Sequence, residues 1–133
     1  MFAYAESFKC DLSKWDMSSV IDISGMFLFA QSFNRDLSKW DVSSVTDMSQ
    51  MFNYATKFKG DISKWDVSSV EDIEDMFSDA KSFNGDLSKW NVSRVTFHVW
   101  NVCVCRIIQM RPLKMGHVER DRHIWNVFVC AIV

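Results

Sequence analysis

The chain has 133 residues, of which 48% are hydrophobic and 24% are charged, and its formal net charge is −2. This length suits one small domain, and the apolar content is too high and the net charge too low for a disordered chain. No apolar run reaches the roughly 18 residues that a membrane span needs. The 15 basic and 17 acidic residues give no reason to expect a nucleic-acid partner. Four cysteines are too few for a disulfide scaffold in a chain of this size.

The sequence repeats with a period of 25 residues. Tryptophan, for example, returns at Trp15, Trp40, Trp65 and Trp90. The unit reads S-F-N-x-D-L-S-K-W-D-V-S-S-V-x-D-M-S-x-M-F-x-x-A-x, and the sequence opens inside a unit, so we expect an excerpt from a longer array. One unit has more apolar positions than it could bury alone. Stacked copies would bury them against each other.

Two elements are predicted within a unit. Asp36 to Trp40 mixes apolar and polar residues over a short run, which is compatible with one strand. Thr46 to Ala55 has apolar residues at i, i+3, i+4 and i+7, which predicts a short helix with Thr46 or Asp47 as its N-cap. The predicted fold class is therefore an α/β repeat solenoid of leucine-rich-repeat type, with about four units over residues 1–96, the first one partial.

The run D-L-S-K-W-D-V-S-S-V-T-D-M-S-Q-M-F-N-Y-A, from Asp36 to Ala55, resembles the BspA-type leucine-rich-repeat surface proteins, which include mycoplasma lipoproteins. The resemblance covers residues 1–96. It implies a non-enzymatic array that binds protein or glycan ligands at a cell surface. The export signal usual in that family is not seen in this sequence.

Residues 97–133 follow a different pattern with the same period. His98-Val99-Trp100-Asn101-Val102 returns as His123-Ile124-Trp125-Asn126-Val127, 25 residues later. Such a period in unrelated residues indicates repeated DNA that is translated out of frame.

The genetic code tests this interpretation. Trp125-Asn126 shifted by one nucleotide must encode glycine, which stands at Gly25, and Met115-Gly116 shifted likewise must encode the tryptophan at position 15. Every shifted codon from Asn101 to Val133 can encode residues 1–32 in order. We therefore interpret residues 97–133 as an irregular, frameshifted copy of the repeat and not as a genuine domain. Residues 1–96 alone carry 10 basic and 15 acidic side chains.

Two groups of residues could bind a metal ion. Cys103, Cys105, His117 and His123 suggest zinc ligands, but their spacing matches no standard finger and all four lie in the frameshifted segment. The repeated aspartates could bind calcium between stacked units, or each could accept hydrogen bonds from nearby backbone N–H groups in a turn. Asn91 continues the column of Asp16, Asp41 and Asp66 without the charge, which favours turns. We expect no cofactor.

The tryptophans could form an exposed stacking platform for sugars, although aromatic residues at a fixed place in a repeat are more often interior. Lysine is seldom buried, so we predict an exposed strip as the contact surface. This Ser/Lys strip consists of Ser38, Lys39, Ser63, Lys64, Ser88 and Lys89. A merely solvated face is the alternative for the strip.

The sequence thus predicts a recognition or adhesion module and not an enzyme. Residues 1–96 contain no histidine and no glycine-rich phosphate loop, which argues against triad and P-loop chemistry. Two alternatives are a truncated, frameshifted gene fragment without independent function and a calcium-stabilised structural repeat. Both ends of the predicted solenoid lack capping units, so we also expect self-association.

The frameshift interpretation predicts that deleting residues 97–133 leaves the fold of residues 1–96 intact. The far-UV circular dichroism spectrum per mole of residues 1–96 and the melting temperature of the truncated chain should match those of the full chain. A collapse of the melting transition on truncation would contradict the interpretation.

Overall fold

A computed structural model of the protein describes residues 1–96. Within them each 25-residue unit forms one loop of backbone made of consecutive tight turns, which we call a coil. Each coil stacks on the next one. Parallel bridges join Asp22 to Asp47 and Asp47 to Asp72, and residues 1–96 contain no helix and no strand longer than these isolated bridges. None of the described residues forms a helix that could cross a membrane.

The predicted α/β solenoid is therefore wrong, and its helical segment shows the reason. In Thr46–Ala55 the N–H groups of Met48, Gln50, Phe52 and Tyr54 donate to carbonyls of the following coil at 2.7–2.9 Å. The N–H groups of Met51, Asn53 and Ala55 close turns on carbonyls three residues earlier. The Ser49 N–H donates to the Asp47 carboxylate. A helix would need these donors for bonds to the carbonyl four residues earlier.

The predicted strand at Asp36 to Trp40 is also a turn. The Asp36 carboxylate accepts a hydrogen bond from the Ser38 N–H at 2.9 Å, and the Trp40 N–H closes on the Leu37 carbonyl at 3.1 Å. Aspartate and serine side chains compete with sheet pairing in this way. The same local bonds recur in the other units, so this segment is a turn throughout the described residues.

Left-handed backbone occurs at two positions of the coil. Gly25, Gln50 and Asp75 have φ between 53° and 55°, and Tyr4, Phe29, Tyr54 and Asp79 have φ between 53° and 62°. Each is the third residue of a turn closed between residues three apart, as in the bond from the Ala30 N–H to the Phe27 carbonyl. A non-glycine residue there costs about 1 kcal/mol or more, and the hydrogen bonds between coils offset that strain.

Apolar columns fill the inside of the stack. The phenyl rings of Phe27 and Phe33 lie 3.9 Å apart between centroids, and those of Phe52 and Phe58 repeat this distance in the next coil. All four side chains are fully buried. Their burial, like that of the methionines beside them, follows the apolar positions of the repeat.

The tryptophans link successive coils. The indole N–H groups of Trp40, Trp65 and Trp90 donate to the carbonyls of Leu12, Leu37 and Ile62, each 28 residues earlier, at 2.9–3.1 Å. These three rings are only 3–4% exposed. The interior position is confirmed for them, and the alternative of an exposed tryptophan platform is wrong. Trp15, in the first coil, is 40% exposed.

We predict that Trp65→Phe lowers the free energy of unfolding by about 1–3 kcal/mol, because the Leu37 carbonyl loses its buried donor. Trp15→Phe is the matched control, since no described residue accepts a hydrogen bond from the Trp15 indole, and its effect should be well below that of Trp65→Phe. Urea unfolding followed by circular dichroism measures both. Equal losses for the two variants would contradict the assigned role of the indole bond.

Candidate functional site

The Ser/Lys strip lies on one repeated turn of the coil. Lys39, Lys64 and Lys89 are exposed, as the sequence predicts. The backbone N–H groups of Ser38, Ser63 and Ser88 donate to the aspartates two residues earlier at 2.9–3.0 Å. Each turn therefore presents a carboxylate and an ammonium group close together, on a backbone that the Asp–Ser bond fixes.

Successive turns of the strip are held in register by the core beneath them. Each lysine precedes a tryptophan of the buried column, and the ring centroids of Trp40 and Trp65 lie 6.3 Å apart, with the planes 4° from parallel. The rings of Trp65 and Trp90 lie 6.5 Å apart. The turns at Lys39, Lys64 and Lys89 consequently follow one another from coil to coil.

An open cleft of about 450 Å³ lies where residues 34–38 of one coil face residues 60–64 of the next coil, and it includes part of the strip. Arg35 borders it, and its Nε donates to the Lys9 carbonyl at 2.6 Å. Gly60 occupies the equivalent position in the following coil and contributes no side chain. The cleft is lined by Asn34, Arg35, Asp36, Ser38, Gly60, Asp61 and Lys64. It therefore combines two cations with two carboxylates.

Hydrogen bonds help to keep the carboxylates beside the strip ionised, namely those of Asp36, Asp61 and Asp86. The backbone N–H of Ser38 lowers the pKa of Asp36, and Ser88 acts on the pKa of Asp86 in the same way. For Asp61 the Ser63 hydroxyl is the main cause of the lowered pKa, followed by the backbone N–H of that residue. At neutral pH the strip thus carries both signs of charge in each unit.

Aspartates elsewhere in the unit also accept local hydrogen bonds. Asp41 binds both the backbone N–H and the hydroxyl of Ser43, at 3.1 and 2.6 Å, and Asp16 holds Ser18 in the same manner. Asn91 accepts the equivalent bond from the Ser93 N–H at 3.2 Å. The predicted aspartate turns are confirmed. Within residues 1–96 no group of three or more histidine, cysteine, aspartate or glutamate residues is placed to hold a metal ion.

Sequence reasoning missed an exposed aromatic ladder. Tyr4, Phe29 and Tyr54 stack on one another with ring centroids 5.1 and 4.5 Å apart and planes within 10° of parallel. Tyr4 is 68% exposed and Tyr54 is 40% exposed. The signal was present, because aromatic residues recur there at the 25-residue spacing. The unit consensus hid it, since Asp79 ends the column.

The zinc candidates Cys103, Cys105, His117 and His123 lie outside the described residues, as does the whole segment 97–133. That this segment is a frameshifted copy of the repeat therefore stays a prediction.

The turns predict a specific response at Asp41. Asp41→Asn keeps the oxygen acceptor and removes a like charge near Asp16, so its melting temperature at neutral pH should stay close to that of the unmodified protein. Asp41→Ala loses the acceptor and should melt lower. If calcium held this column, Asp41→Asn would be destabilised like Asp41→Ala, and thermal melting distinguishes the two results.

Acid should destabilise the stack as well. Among residues 1–96, eight aspartates have a lowered pKa: Asp11, Asp16, Asp22, Asp36, Asp41, Asp61, Asp66 and Asp86. Their contribution is present above the ordinary value of 3.8 and is lost as the pH falls through the lowered pKa values. Burial raises the pKa of Asp75, which opposes this trend at one position. A melting temperature unchanged between pH 6 and about pH 2 would contradict this account.

Comparisons with known proteins give one match. No curated protein and no solved structure matches the chain. A family model described as "Mycoplasma protein of unknown function, DUF285" matches residues 1–102, which include every residue that the structure describes. The match agrees with the resemblance to mycoplasma repeat proteins. The description of the family does not mention leucine-rich repeats. Because the match spans more than half of the sequence, the chain belongs to this mycoplasma protein family.

Proposed function

We propose that the chain is a non-enzymatic recognition or adhesion module that binds a protein or glycan ligand at a cell surface through the Ser/Lys strip. The observation that carries the proposal is the recurrence of one Asp-x-Ser-Lys turn, with its aspartate and lysine exposed, in successive, regularly stacked coils. The cell-surface location rests on the resemblance to BspA-type proteins.

The strip suits binding because its backbone is ordered before a ligand arrives. The Asp–Ser bonds and the buried tryptophans fix each turn, so a ligand would order only the lysine side chains. Preorganisation of this kind reduces the entropic cost of association. A ligand that contacts several turns at once gains from their linkage, since later contacts form at a high effective concentration.

The cleft that includes Ser38 and Lys64 adds an open depression to this surface. Arg35 and Lys64 supply donors, and Asp36 and Asp61 supply acceptors, within one open depression. Hydroxyl-rich glycans and extended peptides both offer donors and acceptors in alternation. The mixed charges therefore favour a polar, neutral or zwitterionic ligand over a strongly anionic one.

The side chains of the strip also support a non-enzymatic role. The aspartates beside it accept hydrogen bonds within the turns, and their lowered pKa makes them poor general acids or bases near neutral pH. Residues 1–96 offer no histidine to activate a serine or cysteine.

The test is binding of the full chain to a glycan array and to a panel of purified extracellular-matrix proteins. We expect saturable binding to at least one class, and Lys39→Glu/Lys64→Glu should weaken it about tenfold or more, since two contacts of about 0.7 kcal/mol or more are lost.

Lys57→Glu/Lys81→Glu is the matched control. Both lysines are exposed, neither borders the cleft, and the charge changes by the same amount. The control should bind like the unmodified chain. The proposal fails if neither panel binds the chain, or if the two double variants lose binding equally.

A further inference from the structure

Arg35 reaches from its own coil onto the preceding one. Its Nε donates to the Lys9 carbonyl at 2.6 Å. Hydrogen bonds from Ser13 are the main cause of the lowered pKa of Asp11, and the charge of Arg35 lowers this pKa further. The guanidinium group of Arg35 therefore lies at a carbonyl oxygen and near a carboxylate of the preceding coil.

The next interface between coils has the same two acceptors but no arginine. The Asn34 carbonyl and the Asp36 carboxylate lie 25 residues after the acceptors that Arg35 approaches. The residue 25 positions after Arg35 is Gly60, which has no side chain to cover them. Among residues 1–96 no group donates to the Asn34 carbonyl and no cation forms an ion pair with Asp36. The open cleft of about 450 Å³ lies at this place.

The charges of the cleft favour a cation beside Asp36. The Ser38 backbone N–H is the main cause of the lowered pKa of Asp36, whereas the charge of Asp61 in the next coil opposes this effect. The two carboxylates thus repel each other across the cleft. A cation near both would reduce that repulsion.

The lysine that borders the cleft does not prevent such binding. Lys64 of the cleft is equivalent to Lys39, which follows Arg35 in the same turn. Arg35 binds the preceding coil in the presence of Lys39. Its charge also acts on the Asp11 carboxylate more strongly than the charge of Lys14 does.

We propose that the cleft binds a guanidinium group, namely the arginine side chain of a protein ligand. The guanidinium would donate to the Asn34 carbonyl, as Arg35 donates to the Lys9 carbonyl, and would approach the Asp36 carboxylate. It has five N–H donors in one plane and can therefore bind both acceptors at once. The inference rests on the proposed function, because it names a group of the ligand that the Ser/Lys strip would recognise.

An NMR titration of the isotope-labelled full chain with N-acetyl-arginine amide tests the site. We expect the backbone amide signals of Ser38, Gly60 and Asp61 to shift and to reach saturation. N-acetyl-citrulline amide is the matched probe, because an uncharged urea group replaces the guanidinium. It should bind about tenfold more weakly or less.

Asp36→Asn should weaken binding of the arginine probe about tenfold or more. The substitution removes the charge and keeps an oxygen that can accept the Ser38 N–H, so the turn is retained. Asp41→Asn is the matched control, because it makes the same change in a turn that does not border the cleft. Its affinity for the probe should equal that of the unmodified chain.

Arg35→Ala tests the equivalence of the two interfaces. It removes the internal arginine and leaves the Lys9 carbonyl and the Asp11 carboxylate without it. The arginine probe should then also shift the amide signals of Cys10 and Asp11. In the unmodified chain these two signals should stay in place.

Four results would overturn the proposal. They are the lack of saturable shifts at the cleft, equal binding of the arginine and citrulline probes, equal affinities of Asp36→Asn and Asp41→Asn, and no new shifts in Arg35→Ala. Thermal melting of each variant shows that the fold persists.

The probe separates this inference from the proposed function. A chain that binds the matrix-protein or glycan panel but not the arginine probe retains the proposed function and loses the guanidinium site. A chain that binds the probe but neither panel retains the guanidinium site and loses the proposed function.

Discussion

The hydrogen bonds between neighbouring coils determine the rest of the structure. Alternate N–H groups from Ile23 to Phe29, and again from Met48 to Tyr54, donate to the following coil. The remaining groups close tight turns within their own coil. This division requires left-handed residues at fixed places, such as Gly25 and Tyr54, and it excludes helix over the same residues.

The period and the burial could be predicted from the sequence, but the backbone conformation could not. Met48, Met51, Phe52 and Ala55 are fully buried, in agreement with their apolar spacing. The same spacing arises on one face of a helix and along a succession of tight turns, because both return the chain to one side every three or four residues. The pattern therefore predicts which side chains face inward, but it does not predict which carbonyls the backbone N–H groups bind.

The candidate site shows the same division. Exposure of Lys39 and Lys64 follows from their charge, and the aspartate turns follow from the Asp-x-Ser spacing. The cleft beside Gly60 depends on how two coils stack on each other, and the sequence of a single unit does not contain that information. The Tyr4–Phe29–Tyr54 ladder could be predicted as a 25-residue period but not as an exposed surface, since most other aromatic residues of the repeat lie in the interior.

The direction of the bonds between coils has a mechanical consequence. They run from one coil to the next, so a force that separates the ends of the stack pulls along them. Such a force opens one interface at a time and does not shear all of them together. Each coil that comes free releases 25 residues, or about 85 Å of extended chain. Under tension the stack would therefore lengthen in steps, one coil at a time.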